Sequence, residues 1–313
     1  MKQPLVAAAV LVLAALPPAL GSNYLTGVAL SGLVFTVAAA ALNLVYGYAG
    51  LLSFAQLGFW GIGGYCSALT VTRLGGSFWD GLLVAALVNA AVAAAVGLPT
   101  LRTGRHAFVI ITLSFALLCG LVARDWVSLT RGPLGIPGLP SPSLFGFAFA
   151  TPARFYYLVL AFAVLALGFL YALGTSRIGD TLRAIKQNEP LAQSQGVSPL
   201  PYKLAAFVIG AILTGLAGAI YVFYLKVVDP LFLDFYYMQT FLIVVIIGGA
   251  GSFWGVVLAG LVMVALPEAL RFSNDLRMVI YGAILVAAML LLPRGAAGWF
   301  ADRRLAALRA RLQ

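Results

Sequence analysis

Ten apolar runs follow one another along this chain, near residues 5–21, 25–45, 57–72, 80–98, 107–123, 156–174, 204–225, 236–248, 253–267 and 278–293. A bilayer core about 30 Å thick takes roughly 20 mainly apolar residues per helix, and somewhat fewer where helices are short or broken. No interval between runs is longer than 124–155, so there is no room for a soluble domain. Residues 1–313 are therefore expected to form one all-α polytopic membrane domain of about ten helices. Composition agrees: 63% of residues are hydrophobic and 9% charged, against roughly 45–50% and about 25% in soluble domains.

Lysine and arginine between spans orient such a chain, because cytoplasmic loops carry their excess. With both termini and residues 177–203 inside, the inner side holds 12 basic and three acidic residues, net +9. The outer side then holds seven basic and six acidic residues, net +1. This closes only if 236–267 crosses twice, with "GGAGS" as an inner turn. The N-terminus, "MKQPLVAAAVLVLAALPPALGS", has the basic start and apolar run of a signal peptide, but the charge count favours an uncleaved first span. The net charge of +10 is absorbed by this orientation and does not point to nucleic acid. The basic tail, 294–313, reads as an amphipathic helix on the anionic inner leaflet.

Several chemistries are excluded. There is no G-x-x-x-x-G-K-[ST] stretch to bind ATP, and no nucleophile–base–acid set, so the chain is not read as an enzyme. One histidine, His106, and two isolated cysteines, Cys66 and Cys119, supply neither a metal site nor a disulfide framework. No cofactor is expected. The nine acidic residues all fall in or near loops or helix ends, whereas a proton relay needs carboxylates within the membrane.

Two glycine-rich stretches stand out: "VYGYAGLLSFAQLGFWGIGGY" (45–65) and "IIGGAGSFWG" (246–255). Dense glycine interrupts helices, and broken helices near the midplane are where transporters often bind or gate solute. Gly47, Gly50, Ser53, Gln56, Gly248, Gly249 and Gly251 are accordingly the candidate translocation-path residues; close helix packing is the alternative. The 124–155 loop, rich in Gly, Pro and Ser, is expected to lack regular helix and to be either a cap over the bundle or a docking surface.

The feature least expected of a membrane chain is the polar island "RIGDTLRAIKQNEPLAQSQGVSPLPYKLAAF", Arg177 to Phe207. Its spacing predicts two short helices, "TLRAIKQNE" and "PLAQSQ", with Gly196 at the end of the second. Leu182, Ile185, Leu191 and Ala192 form an apolar stripe, with Arg183, Lys186 and Glu189 around the other face. Such a projection suits a shallow groove on a soluble protein.

Glu189 to Gly196, "EPLAQSQG", is similar to the E-x-x-A-x-x-x-G core of the cytoplasmic loop in permeases of ABC importers. The run "GDTLRAIKQNE…A…GV…YKLAAFVIGAILTGLAGAIY" resembles the branched-chain amino acid permease family, LivM-type subunit. So do "YGYAGLLSFAQLGFWGIGGY", "VVIIGGAGSFWGVVLAG" and "IYGAILVAAMLLLPRGAAGWF", in family order over about 43–299. Asp180 stands where the family commonly has Arg, and 191–195 is more polar.

The resemblance implies a multi-pass permease of the bacterial inner membrane that imports branched-chain or other hydrophobic amino acids. Its loop, about 176–203, would seat in a groove of one of two separate cytoplasmic ABC ATPase subunits through Arg177, Gly179, Leu182, Arg183, Ile185, Glu189, Ala192 and Gly196. A LivH-type permease would form the other half of the pore, and an extracytoplasmic binding protein would deliver solute. Urea or a short amide is the alternative cargo, and an ion-coupled carrier working alone or an assembly protein the alternatives of a different class.

Overall fold

The computed structural model describes residues 22–144 and 147–269, and within them the apolar runs become helices close to the expected bounds. In chain order these are α1 (Asn23–Leu42, continuing as a π-helical turn over Asn43–Tyr48), α2 (Ala55–Arg73), α3 (Phe78–Thr100) and α4 (Arg105–Asp125). The single turn α5 (Val127–Thr130) precedes α6 (Pro152–Gly174), the surface helices α7 (Arg177–Gln187) and α8 (Glu189–Ser194), then α9 (Pro199–Leu225), α10 (Phe235–Gly248) and α11 (Phe253–Ala269). Among the described residues six stretches are long and apolar enough to cross a membrane: 23–48, 78–100, 105–125, 152–174, 199–225 and 230–248. The expected runs at 5–21 and 278–293, the signal-like start and the basic tail lie outside the described residues.

Local chemistry sets the helix starts. Ser77 and Asp80 form a reciprocal capping box on α3, and Thr151 accepts from the Arg154 amide on α6, with Pro152 in the first turn. The long connection between α4 and α6 contains α5, a 3₁₀ turn (Gly132–Leu134) and two-residue strands. Strand β1 (Ile136–Pro137) pairs antiparallel with β4 (Val227–Val228), and β2 (Ser143–Leu144) with β3 (Phe147–Ala148). Arg73 Nη2 donates to the Ser128 and Leu129 carbonyls at 2.6 and 2.8 Å, and Trp79 Nε1 to Ser143 O at 2.9 Å. The connection expected to lack regular helix is thus largely irregular, but it is tied down onto one end of the bundle.

The core is a seam of small residues and an aromatic cluster. Gly63 of α2 lies against the backbone of Gly215 on α9, and Gly218 of α9 against that of Trp60; only glycine lets two backbones approach so closely. Trp60 is fully buried and stacks on Phe232 at 5.0 Å between ring centres, with Phe35, Tyr221 and Phe241 around it. The glycine-dense stretch 58–64 is therefore continuous helix, not a break. α1 and α9 are enclosed, whereas α3, α4 and α6 turn apolar side chains such as Leu87, Leu117 and Leu165 outward, toward lipid or another chain.

Two connections enter the bundle instead of crossing its surface. After the π-helical turn the chain runs without regular structure to Phe54, whose N–H donates to Thr112 Oγ1 at 3.3 Å, two turns inside α4. From the other end, Leu233 packs on Gly61, and α10 starts only at Phe235. Phe54 and Phe235 stack at 5.9 Å. The starts of α2 and α10 thus meet against α4, within the bundle.

Candidate functional site

The polar island folds as two short helices joined at Asn188. Its side chain accepts from the Leu191 amide at 3.0 Å, starting α8, and Pro190 occupies the first turn. Gly196 follows α8 with φ +83°, the left-handed conformation that suits a helix end. Glu189 pairs with Lys203 on α9 at 2.6 Å, holding α8 to the root of the next membrane helix.

The expected apolar stripe divides in two. Leu182, Ile185 and Ala192 are buried in the protein's own bundle, while Leu191 is 58% exposed. Ile178, on α7, is exposed as well. The surface offered outward therefore includes Arg177, Ile178, Asp180, Ala184, Gln187, Asn188, Pro190, Leu191 and the 193–196 segment.

Arg183 and Lys186 overturn their expected placement. Both turn toward the bundle, where each caps the C-terminal end of a membrane helix. Arg183 Nη2 donates to Gly174 O, in the last turn of α6, at 2.8 Å, and its guanidinium lies 4.7 Å over the Tyr48 ring. Its Nη1 pairs with Asp180 at 2.7 Å. Lys186 Nζ donates to Gly47 O at 2.7 Å, in the π-helical end of α1, and its stem runs against Gly50. Carbonyls at a helix C-terminus lack backbone partners and carry partial negative charge, so a cation there is favourable. Gly179 permits the approach, because a Cβ there would overlap the Gly174 carbonyl.

The same carbonyl region leads to the second glycine stretch. A Cβ on Gly47 would overlap Asn43 Oδ1 and the Gly251 amide. Asn43 Oδ1 accepts from Gly251 N at 2.8 Å, and Asn43 Nδ2 donates to Ser252 O at 3.4 Å. Gly249 and Gly251, with φ of +95° and +96°, make the turn between α10 and α11, and Gly248 lies against the Gly255–Val256 backbone. Gly47, Gly50, Gly248, Gly249 and Gly251 therefore stand beside the island and its two cations, at one end of the bundle, not half-way along it. Ser53 is buried and accepts from the Ala55 amide at 3.3 Å, starting α2. Gln56 is buried against Gly210, and neither of its amide atoms has a hydrogen-bond partner among the described residues.

Sequence reasoning ranked neither Lys186 nor Asn43 as a site residue. Asn43 had a signal, a lone amide in an apolar run. Lys186 had none, since its partner carbonyl is 139 residues away.

Burial lowers the Lys186 pKa from its ordinary 10.5. Between the lowered value and 10.5 the unfolded chain binds more protons than the folded one, so this group's contribution to stability rises with pH across that window. Thermal unfolding followed from pH 8 toward 10.5 should show the native chain gaining on Lys186→Met as pH rises.

A family model described as branched-chain amino acid transport system / permease component matches residues 24–289. The chain is 32% identical to the Escherichia coli K12 high-affinity branched-chain amino acid transport system permease protein LivM, over 94% of this chain and 75% of that protein. It is 31% identical to the Salmonella typhimurium LivM protein with the same coverage. To the Salmonella typhimurium LivH permease protein it is 27% identical, over 85% of this chain and 92% of that one.

Proposed function

The chain belongs to the branched-chain amino acid transport permease family, and from that premise we propose that it is the membrane permease subunit of an ATP-driven importer for branched-chain or other hydrophobic amino acids. One observation carries the mechanism: α7, the helix exposed at the polar end, holds the C-terminal ends of two membrane helices through Arg183 and Lys186. A push on α7 from a separate ATPase would be delivered to α6 and to the π-helical end of α1. Through the Asn43–Gly251 bond it would pass to the α10–α11 turn. The exposed face around Ile178 and Leu191 is the surface offered to that ATPase.

Membership of the family supports a wider assembly. We assign about ten helices, both termini to the cytoplasm, a LivH-type permease as the second half of the pore, two ATPase subunits and an extracytoplasmic binding protein. Asp80, Asp125, Asp180, Glu189, Asp229 and Asp234 all sit at helix ends or in connections, which supports ATP drive over a proton relay.

Uptake of labelled leucine by cells expressing the chain with its partner subunits tests this reading. Uptake should survive collapse of the ion gradients and be competed by valine. Loss with the gradients would mean a secondary carrier; competition by urea alone would mean a different cargo.

Two variants test the loop. Glu189→Lys sets a second ammonium against Lys203 in place of a 2.6 Å ion pair. Gly196→Pro cannot adopt φ +83° and loses the N–H that reaches Gln193 O at 2.9 Å. The ion pair contributes about 1.5–3 kcal/mol as a charge-assisted bond, and the Gly196 change removes both a neutral hydrogen bond of about 0.5–1.5 kcal/mol and the left-handed turn that ends α8, so each variant should lower uptake by about tenfold or more while the bundle still folds. Normal uptake would show that this loop is not the coupling element.

A further inference from the structure

We infer that the seam between α2 and α9 holds an internal water, bound by the Gln56 amide and the Thr214 hydroxyl. The inference goes beyond the importer reading and does not depend on it. Gln56, the second residue of α2, is fully buried, and neither its Nε2 nor its Oε1 has a hydrogen-bond partner among the described residues. It packs on Gly210 of α9, where a Cβ would lie 3.0 Å from Gln56 Nε2 and 3.3 Å from Ala41 O. Thr214, one helical turn further along α9, is fully buried as well, and its Oγ1 has no partner among the described residues. Residues four apart share one face of a helix, and Gly218, a turn beyond, again meets α2 at the Trp60 carbonyl. Thr214 therefore faces α2, between those two contacts.

Other buried threonines of this chain turn the hydroxyl back onto their own helix. Thr36 of α1, Thr70 of α2, Thr112 of α4 and Thr240 of α10 donate to carbonyls three or four residues earlier, at 2.6, 2.8, 3.0 and 2.9 Å. That bond is the local means of satisfying a hydroxyl within a helix, and Thr214 does not make it. A buried hydroxyl turned away from its own helix has a partner elsewhere or carries a desolvation cost. Cβ positions four residues apart on a helix are about 5–6 Å apart. That is longer than a hydrogen bond and close to the two legs, of about 2.8 Å each, that a bridging water makes. The amide and the hydroxyl are uncharged, and each can both donate and accept, as water does. A cation would find too few acceptors there, and an anion too few donors. Ala41 O, beside Gln56 Nε2, gives the water a third partner, and buried waters make about three hydrogen bonds.

Thermal unfolding of the full chain in detergent tests this, with Thr214→Val and Gln56→Met made singly and together. Valine keeps the shape of threonine without the hydroxyl, and methionine keeps the length of glutamine without the amide. Each single change should lower the unfolding midpoint by about 2–4 °C, because it leaves the water and the other side chain short of a partner. The double variant should fall no further than the larger single one, since both act through one water. A higher midpoint in either single variant would show a polar group left unsatisfied in the native chain and overturn the inference. A double variant equal to the sum of the singles would show two independent groups and overturn it equally. Should the Gln56 variant fail to fold, a density map of the native chain that shows ordered water decides. A peak within about 2.6–3.2 Å of both Thr214 Oγ1 and a Gln56 amide atom supports the site. The absence of a peak, or either side chain bonded directly to protein, would remove it.

Discussion

Lys186→Met is expected to cut leucine transported per ATP hydrolysed by about tenfold or more, while hydrolysis by the assembled complex continues. Methionine keeps most of the aliphatic stem that lies against Gly50 but removes the ammonium on Gly47 O. A hydrogen bond from a charged group contributes about 1.5–3 kcal/mol, and 1.4 kcal/mol corresponds to a tenfold change in an equilibrium. Without it α7 keeps its hold on α6 through Arg183, but its hold on the π-helical end of α1 is reduced to the Arg183 guanidinium over the Tyr48 ring. Motion of α7 would then reach α6 through a hydrogen bond and α1 only through that weaker ring contact. Parallel measurements of uptake and phosphate release in proteoliposomes give the ratio directly. An unchanged ratio would mean that the bond steadies the fold without transmitting movement. A parallel fall in both rates would mean that the variant disturbs ATPase attachment itself.

That result turns on a residue whose role the sequence does not display. The island's helices are legible: polar residues, Pro190 and Gly196 bound two short segments, and the structure has α7 and α8 there. The inward face, Leu182 and Ile185, follows from helical spacing alone. Binary patterning then sends every polar residue outward, and here it fails. Arg183 and Lys186 lie at the flank of the stripe, long enough to cover apolar surface with their stems and reach carbonyls at the ends of other helices. Whether such a carbonyl is within reach depends on tertiary contacts that no local pattern encodes.

Glycine shows the same limit. Positions 47–50 and 249–251 do break the helix, with positive φ at Gly50, Gly249 and Gly251, whereas the denser 58–64 stretch is regular helix. Glycine density marks both uses equally, because one needs backbone freedom and the other needs absence of a side chain. The irregular connection between α4 and α6 is legible from its Gly and Pro content, but its pairing with residues 227–228 joins segments far apart in the chain.

Gly63→Val should therefore fail in a different manner from any loop variant, by preventing the bundle from assembling. A Cβ at this position would overlap the Gly215 carbonyl and lie 2.5 and 2.6 Å from Gly215 C and Cα. The neighbour is backbone, so no side-chain rotation relieves the contact, and α2 and α9 would have to separate. Separation would also open the Gly218–Trp60 approach and the contact of Gly215 with the Asn89 amide. Overpacking a core costs about 1–3 kcal/mol where side chains can adjust; against backbone the cost exceeds that range, a large part of a net stability of about 5–15 kcal/mol. Gly168→Val on α6 is the control, since an added Cβ there meets nothing within 4 Å. Membrane yield and thermal unfolding in detergent should leave the Gly168 variant near the native chain and the Gly63 variant with little folded material. The seam also fixes α2, whose first turn carries Gln56 against Gly210. A Gly63 variant that folded and transported normally would mean that α2 and α9 do not cross backbone to backbone at Gly63 and Gly215.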